Sequence, residues 1–476
     1  MNALAPLRHA PFRFLLAGRT INSIGNAVAP VALAFAVLDL TGSPSDLGLV
    51  VGTRVSVNVL FVLFGGALAD RMPKHHLMVG ASVAAAVTQA AVAALVLSGA
   101  ATIPWLIVLS AVNGMVSALA LPASSSIVPQ LIPAEIRQQA NALNRLFFNG
   151  ASIVGAPLGG ILVAGVGPGW GIAVDAAAFA VSAIAFALLR IPTPAQVAPA
   201  QVAPGQAVPA QAVPAPAQAA PAQAASAQAV PAPGKAAPAA AGGGRQSAQA
   251  PKEAAAPARS SLVADLRGGW TEFRSRTWLW VVVAGFGVIN ACLSGGMSVL
   301  GPVVADATVG RRAWGFVLAA QTVGMVLGAV VALRINVSRL LLFGVVCTIF
   351  EVLPMLTLGV APHLGLLLAA AFLAGLGIEQ FAVAWETTMQ EHVPADKLAR
   401  VYSYDMVGSF VAIPVGQVLA GPIAGAVGVE PTLVGAAALI GLAVVGMLAG
   451  RDVRNLRHHR PTSPEPVAAD MEESAR

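Results

Sequence analysis

Ionisable side chains stranded in otherwise apolar sequence are the residues of this chain best suited to chemistry. Glu379 stands midway along the apolar run 364 to 390, beside Gln380 and one to two helical turns before Trp385 and Glu386. A carboxylate in such surroundings can take up and release a proton, and an acid at membrane depth is a functional candidate by default. Asp405, within the run 398 to 427, offers the same chemistry. Glu379, Glu386 and Asp405 are therefore the proton-coupling candidates, and Glu379 is the best placed of them.

Cations recur at comparable depth in Arg19, Arg54 and Arg145. Arg145 reads as a side chain that snorkels to the nearer interface, whereas Arg54 lies deep enough to need a partner or water. Arg19, Arg54, Arg145, Asn22, Asn26, Asn58, Asn113, Asn149, Asn290, Gln321, Gln380 and Trp385 are candidates to line a polar cavity. Each amide suits an interhelical hydrogen bond at least as well. Asp175 is expected near the start of its helix, where stabilisation by the helix dipole explains a carboxylate as well as a functional role does.

A denser group of charges interrupts the apolar text at "GGALADRMPKHHL", residues 65 to 77. Gly66 permits close helix approach, Asp70 can face the positive end of a neighbouring helix, and Arg71 and Lys74 can pair with acids or lipid phosphates. Pro73 and the pair His75, His76 complete the group.

The elements that must position these residues follow from composition. The chain has 476 residues, 57% hydrophobic and 10% charged, with a mean hydropathy of +0.77. Soluble domains carry about 25% charged residues, so this is an integral membrane protein. The net charge of +6 is spread along the flanks of apolar runs, which points to membrane orientation and away from nucleic acid. Cys292 and Cys347 lie inside apolar runs, without the spacing of a disulfide framework or a metal site. A phosphate-binding Gly-x-x-x-x-Gly-Lys-Ser/Thr loop is absent, so ATP does not drive the protein. Neither a cofactor nor an enzymatic reaction is expected.

About 20 apolar residues cross a bilayer. Such runs fall near 12 to 38, 46 to 69, 77 to 98, 103 to 128, 139 to 165 and 170 to 190, and again near 278 to 305, 313 to 333, 338 to 360, 364 to 390, 398 to 427 and 432 to 450. With both termini cytoplasmic, all 27 Lys and Arg except the three within spans and the outer Arg311 and Arg312 fall on the cytoplasmic side. An odd number of spans would destroy that bias.

The two halves repeat at an offset of 261 residues, which sets Pro133 over Pro394, Gly155 over Gly416 and Gly160 over Gly421. The expected fold is thus an all-α membrane protein with twelve transmembrane helices in two pseudo-symmetric six-helix bundles. Residues 1–190 form the first bundle, 191–260 a disordered Ala/Pro/Gln-rich cytoplasmic linker, 261–452 an interfacial helix plus the second bundle, and 453–476 a cytoplasmic tail.

The pattern Gly66-x-x-x-Asp70-Arg71-x-Pro73-Lys74 between the second and third spans closely resembles the signature loop of the major facilitator superfamily. "FRFLLAGRTINSIGNAVAPVALAFAVLDLTGS" and "WETTMQEHVPADKLARVYSYDMVGSFVAIPVGQVLAGP" resemble its branch of bacterial siderophore exporters and macrolide efflux pumps. The resemblance implies that Gly66, Asp70, Arg71, Pro73 and Lys74 form a gating latch on the cytoplasmic face. The stretch "NGASIVGAPLGGIL" supplies Gly150, Gly155, Pro157, Gly159 and Gly160 for helix packing, one residue tighter than the family's usual spacing. That departure weakens a claim of proton antiport built on the motif, and helix packing explains these residues as well as an exporter-specific role does.

The expected activity is secondary active transport in the bacterial inner membrane. It is read as proton-coupled export of amphipathic small molecules, such as antibiotics or siderophores, by alternating access. The partners are the solute, protons and the lipid bilayer, and the protein is expected to be a monomer. An importer or a lipid transporter would share the fold, and a non-transporting membrane interaction protein would act through the Pro-rich linker.

Overall fold

The computed structural model describes residues 4–69, 74–125, 127–133, 136–189, 270–335 and 337–458. Asp70, Arg71, Pro73, the segment 191–260, the tail beyond residue 458 and the side chain of Lys74 lie outside the described residues.

Long apolar runs leave the backbone no solvent partner in a bilayer, so each run closes its hydrogen bonds internally as a helix. In the first half these are α1 (Ala10–Thr41), α2 (Pro44–Ala69), α3 (Lys74–Leu97), α4 (Ile103–Ser125), α5 (Arg137–Val166) and α6 (Pro168–Ala187). In the second they are α7 (Thr277–Ala307), α8 (Arg311–Ala332), α9 (Leu340–Val360), α10 (Leu364–His392), α11 (Ala395–Phe410 continued by Ala412–Val427) and α12 (Val429–Ala449). Eleven are long and apolar enough to cross a membrane, and α4 adds the shorter apolar stretch Ile103–Leu119. The turns between α5 and α6 and between α11 and α12 are single glycines, Gly167 (φ 94) and Gly428 (φ 96), 261 residues apart. Only a residue without Cβ takes that backbone without strain, so the repeat extends to turn chemistry.

Three spans depart from regular α-helix. A π-helical turn, Gly296–Leu300, interrupts α7 just before Pro302, and a 3-10 turn, Thr348–Glu351, interrupts α9 just before Pro354. Helix α11 breaks at Val411, before Pro414. Proline removes a backbone donor and crowds the preceding turn, so the hydrogen-bond register shifts there.

Within the first bundle α1 packs on α5 and α6, α2 on α4, and α3 on α4 and α6. Within the second, α8 packs on α10, α9 on α10 and α12, and α7 on α11 and α12. The bundles join where α5 meets α8 and α2 meets α11. Leu146 and Leu442, each 67% exposed, belong to the broad apolar outer surface that a lipid chain would cover.

Candidate functional site

The bundles are joined at one end of the molecule. Arg311, the first residue of α8, reaches the end of α1: Nη2 donates to Asp39 Oδ1 at 2.5 Å and Nη1 to Oδ2 at 2.9 Å. Its Nε also donates to Asp306 Oδ1 at 2.7 Å, at the end of α7. The guanidinium stacks over Phe35 of α1, 5.0 Å from the ring centre. One cation thus bridges a carboxylate of each bundle in the forked geometry that suits arginine. The sequence had marked Arg311 only as an exception to the charge bias; an acid at each neighbouring helix end, Asp39 and Asp306, was the signal that could have found the clamp.

Beside the clamp, glycines bring the two backbones together. A Cβ on Gly48 of α2 would meet the carbonyl of Gln417, and one on Gly421 of α11 would meet the backbone of Ser45. On the other side, a Cβ on Gly160 would stand 2.9 Å from the Arg311 carbonyl, and one on Gly315 would run into the Ala156 carbonyl. Gly160 and Gly421, matched by the 261-residue repeat, therefore occupy equivalent seams, α5 with α8 and α11 with α2. Gly155 and Gly416 also match, facing α1 and α7 inside their own bundles. Gly159 faces Val28 of α1, and Pro157 lies against Gly315. Gly150 is corrected: a Cβ on it would meet nothing within 4 Å, so no other helix approaches closely at that glycine.

Toward the other end, the acids of the second bundle form a connected group. Trp385 Nε1 donates to Asp405 Oδ2 at 3.1 Å, and the Ser409 hydroxyl to Oδ1 at 3.2 Å. Glu386 accepts from the Tyr402 hydroxyl and from Gln390, both at 2.7 Å. Each of these carboxylates is half-buried and within the other's field. Trp385 continues into a stack of rings, with Phe381 at 5.9 Å and Phe286 at 3.9 Å beyond it.

Glu379 is 2% exposed and faces α8, its Cβ 2.8 Å from where a Gly328 Cβ would stand. Gln380 donates to the Gly328 carbonyl at 2.6 Å, so it is an interhelical tie. Gln321 lies at the α8–α10 crossing, where its carbonyl faces Gly375. Asn290 of α7 donates to the Ser409 carbonyl at 2.9 Å, which binds α7 to α11.

In the first bundle, Asn58 donates to the Gly114 carbonyl at 3.1 Å, and Asn26 to Asn22 Oδ1 at 3.0 Å. Arg19 and Asn149 are half-buried and Arg145 is exposed. Asp175 is corrected: α6 begins at Pro168, so Asp175 lies two turns inside, fully buried, where it accepts from Gln89 Nε2 of α3. A dipole acts chiefly within the first turn, so the side-chain partner and not the helix start explains it. Glu351, in the 3-10 turn of α9, is 1% exposed and was missed, although its depth inside the apolar run 338 to 360 was the signal that could have found it.

Of the expected latch, Gly66 lies in α2, and the neighbouring His75 donates from Nε2 to the Phe186 carbonyl at 2.7 Å, fastening α3 to α6. A second set of charges joins the segment before α7 to the start of α11 in the other bundle. Glu272 accepts from Lys397 Nζ at 2.8 Å and from Arg276 Nη2 at 2.7 Å. These hydrogen bonds, Lys397 first, hold the Glu272 carboxyl below the usual carboxylate range. A depressed folded-state value stabilises above the unfolded carboxylate pKa, about 4.3, and that contribution is lost as pH falls through the lower folded value. Lys397 is 41% exposed, so solvent screening limits the corner to about 1 kcal/mol. Glu272→Gln should therefore lower the melting temperature slightly at neutral pH, and the difference from wild type should begin to shrink below about pH 4.3 and vanish only below the depressed folded-state value.

A family model described as the Major Facilitator Superfamily matches residues 15–416. Multidrug efflux pump Tap of Mycolicibacterium fortuitum is 22% identical over 437 residues, covering 89% of this chain and 92% of Tap. Enterobactin exporter EntS of Salmonella typhimurium (strain LT2) is 26% identical over 200 residues, covering 40% and 46%. YfiS of Bacillus subtilis (strain 168), an uncharacterized MFS-type transporter, is 30% identical over 172 residues, covering 36% and 40%. The matches to EntS and YfiS thus span less than half of those proteins. Among solved structures, the nucleoside transporter NupG superposes with a TM-score of 0.64 at 12% identity, covering 94% of this chain and 99% of that one. A bacterial homologue of the human lysosomal transporter Spinster, inward-facing and unoccupied, gives 0.61 at 15% identity, covering 96% and 100%. At these identities the structures establish the fold alone.

Proposed function

The chain belongs to the Major Facilitator Superfamily, and we propose that within it the protein is a proton-coupled exporter of amphipathic small molecules in the bacterial inner membrane. The observation that carries this reading is that, among the described residues, the close junction between the bundles lies at one end. The Arg311 clamp and the glycine seams lie together at one end, while the Ala395–Phe410 half of α11 packs on α7 and α10 of its own bundle. A transporter closed on one face and able to rock open about its middle has this asymmetry.

With both termini cytoplasmic, the clamped end is the outer face and the solute enters from the cytoplasm. The similarity to Tap supports export over nearly the whole length. Proton entry is assigned to the acid group of the second bundle. Asp405 and Glu386 are half-buried and carry exchangeable donors, whereas Glu379 packs against α8. Arg71, Asp70 and Lys74 are assigned to the latch of the opposite state, on the cytoplasmic face.

Everted membrane vesicles test this directly. Energised to an acid interior, they should concentrate an amphipathic fluorescent cation, and a proton uncoupler should release it. Accumulation only in right-side-out vesicles with an acid exterior would mean import and overturn the assignment.

A further inference from the structure

A carboxylate in the first bundle remains without a role. Asp175 is fully buried between α6, α3 and α1. Gln89 donates to Oδ2. Oδ1 faces α1 at Gly25, whose Cβ, if present, would stand 2.5 Å from it, and Oδ1 has no donor among the described residues. Glycine at position 25 is thus what lets a bare carboxylate oxygen lie against a helix. Next to Gln89, Thr88 accepts from Asn113 Nδ2 of α4 at 3.4 Å. Asn113 is 1% exposed and its Oδ1 also lacks a donor among the described residues.

Two buried acceptor oxygens without donors are costly in a membrane interior, where water does not compensate them. A proton on Oδ1 removes the charge and turns one acceptor into a donor. The contacts on this side lead to a cation, Arg54 of α2: its backbone carbonyl lies against Gly114, next to the Asn113 that reaches Thr88 beside Gln89. Of the helices packed on α6, α1 presents Gly25, with Arg13, Arg19 and Asp39 in other turns, and α3 presents Gln89, with His76 and His75 at its far end, His75 bonded to the Phe186 carbonyl. The charges of α5, Arg137 and Arg145, lie toward its opposite end. Arg54 itself is two residues beyond Gly52, which packs on Val418 in the α2–α11 seam, and its backbone is gripped by Gly114 of α4.

We propose that Asp175 is a proton-binding site of the first bundle and that its charge sets the hold on Arg54, and through it on α2 at the seam. Ionised, Asp175 draws the guanidinium into the bundle. When a proton from bulk water adds to Oδ1, that attraction ends and α2 is released to move against α11; loss of the proton restores it. The role in coupling rests on the transporter reading, but the proton site is measurable without any transported solute.

The test uses the full chain in lipid nanodiscs. Infrared difference spectra between acid and neutral pH should contain the C=O stretching band of a protonated carboxylic acid that disappears in Asp175→Asn and persists in Glu351→Gln. Arg54→Gln should move the pH midpoint of that band. In a Cys292→Ala, Cys347→Ala background, labelling of Val418→Cys by an impermeant maleimide should depend on pH, and Asp175→Asn should abolish the dependence. A band that survives Asp175→Asn, or one that responds to sodium and not to pH, overturns the proposal. If Asp175→Asn does not fold, an unmoved midpoint in Arg54→Gln overturns it equally. Failure of dye extrusion with these spectra intact would instead strike the exporter assignment alone.

Discussion

Leucine in place of Gly421 should remove the state in which the Arg311 end is closed, and extrusion with it. The Cβ position at Gly421 faces the backbone of Ser45 and Pro44 across the seam, atoms that cannot rotate aside as a side chain would. Overpacking of this kind costs about 1–3 kcal/mol. Spent against one of two states, that shifts their ratio roughly 5- to 150-fold. The clamp cannot compensate: Arg311 and Asp39 are 24% and 40% exposed, and pairs so exposed contribute about 0–1 kcal/mol. Arg311→Ala should accordingly slow extrusion less than Gly421→Leu does. Gly425, one turn further along α11 with nothing within 4 Å, provides the control. Gly425→Leu should extrude dye at close to the wild-type rate. Wild-type extrusion by a well-expressed Gly421→Leu protein would show that the seam does not gate transport.

The second large effect is expected at Asp405. In Asp405→Asn the indole of Trp385 and the hydroxyl of Ser409 still meet a side-chain oxygen or amide, so the packing of α10 on α11 should survive. What is lost is a carboxylate that can exchange a proton. A pH gradient of one unit is worth about 1.4 kcal/mol per proton, or up to about tenfold accumulation. Asp405→Asn should lose that accumulation while retaining exchange of dye across the membrane without a gradient. Glu386→Gln should behave in the same direction, since Tyr402 and Gln390 donate to the same Glu386 oxygen and only a carboxylate accepts from both while remaining ready for a proton. Retention of gradient-driven accumulation in the Asp405→Asn, Glu386→Gln double variant would relocate coupling to Glu379 or to the first bundle.

How much of this was legible beforehand depended on the range of the interactions. Twelve helices could be read from the sequence because a bilayer imposes one length on every span, and each run of about 20 apolar residues meets it alone. The duplication was equally plain, and it carried real geometry: positions 160 and 421, paired by sequence alone, sit at equivalent seams, and 167 and 428 make equivalent turns. The Trp385, Glu386 and Asp405 group was within reach, since its members span 20 residues on consecutive helices.

Tertiary structure decided the rest. Asp39 and Arg311 are 272 residues apart, and Gln89 and Asp175 are 86 apart. Periodicity reveals a helix's faces, but not which helix each face meets or how far it is rotated, and a hydrogen bond requires both to within a few tenths of an ångström. For the same reason Glu379, the acid singled out by its depth, turned out to face Gly328 of α8, while Asp175 lay bare against Gly25. Composition determined that the chain lives in a membrane and the 261-residue repeat that it does so in two halves; only packing decided which of its few charges meet.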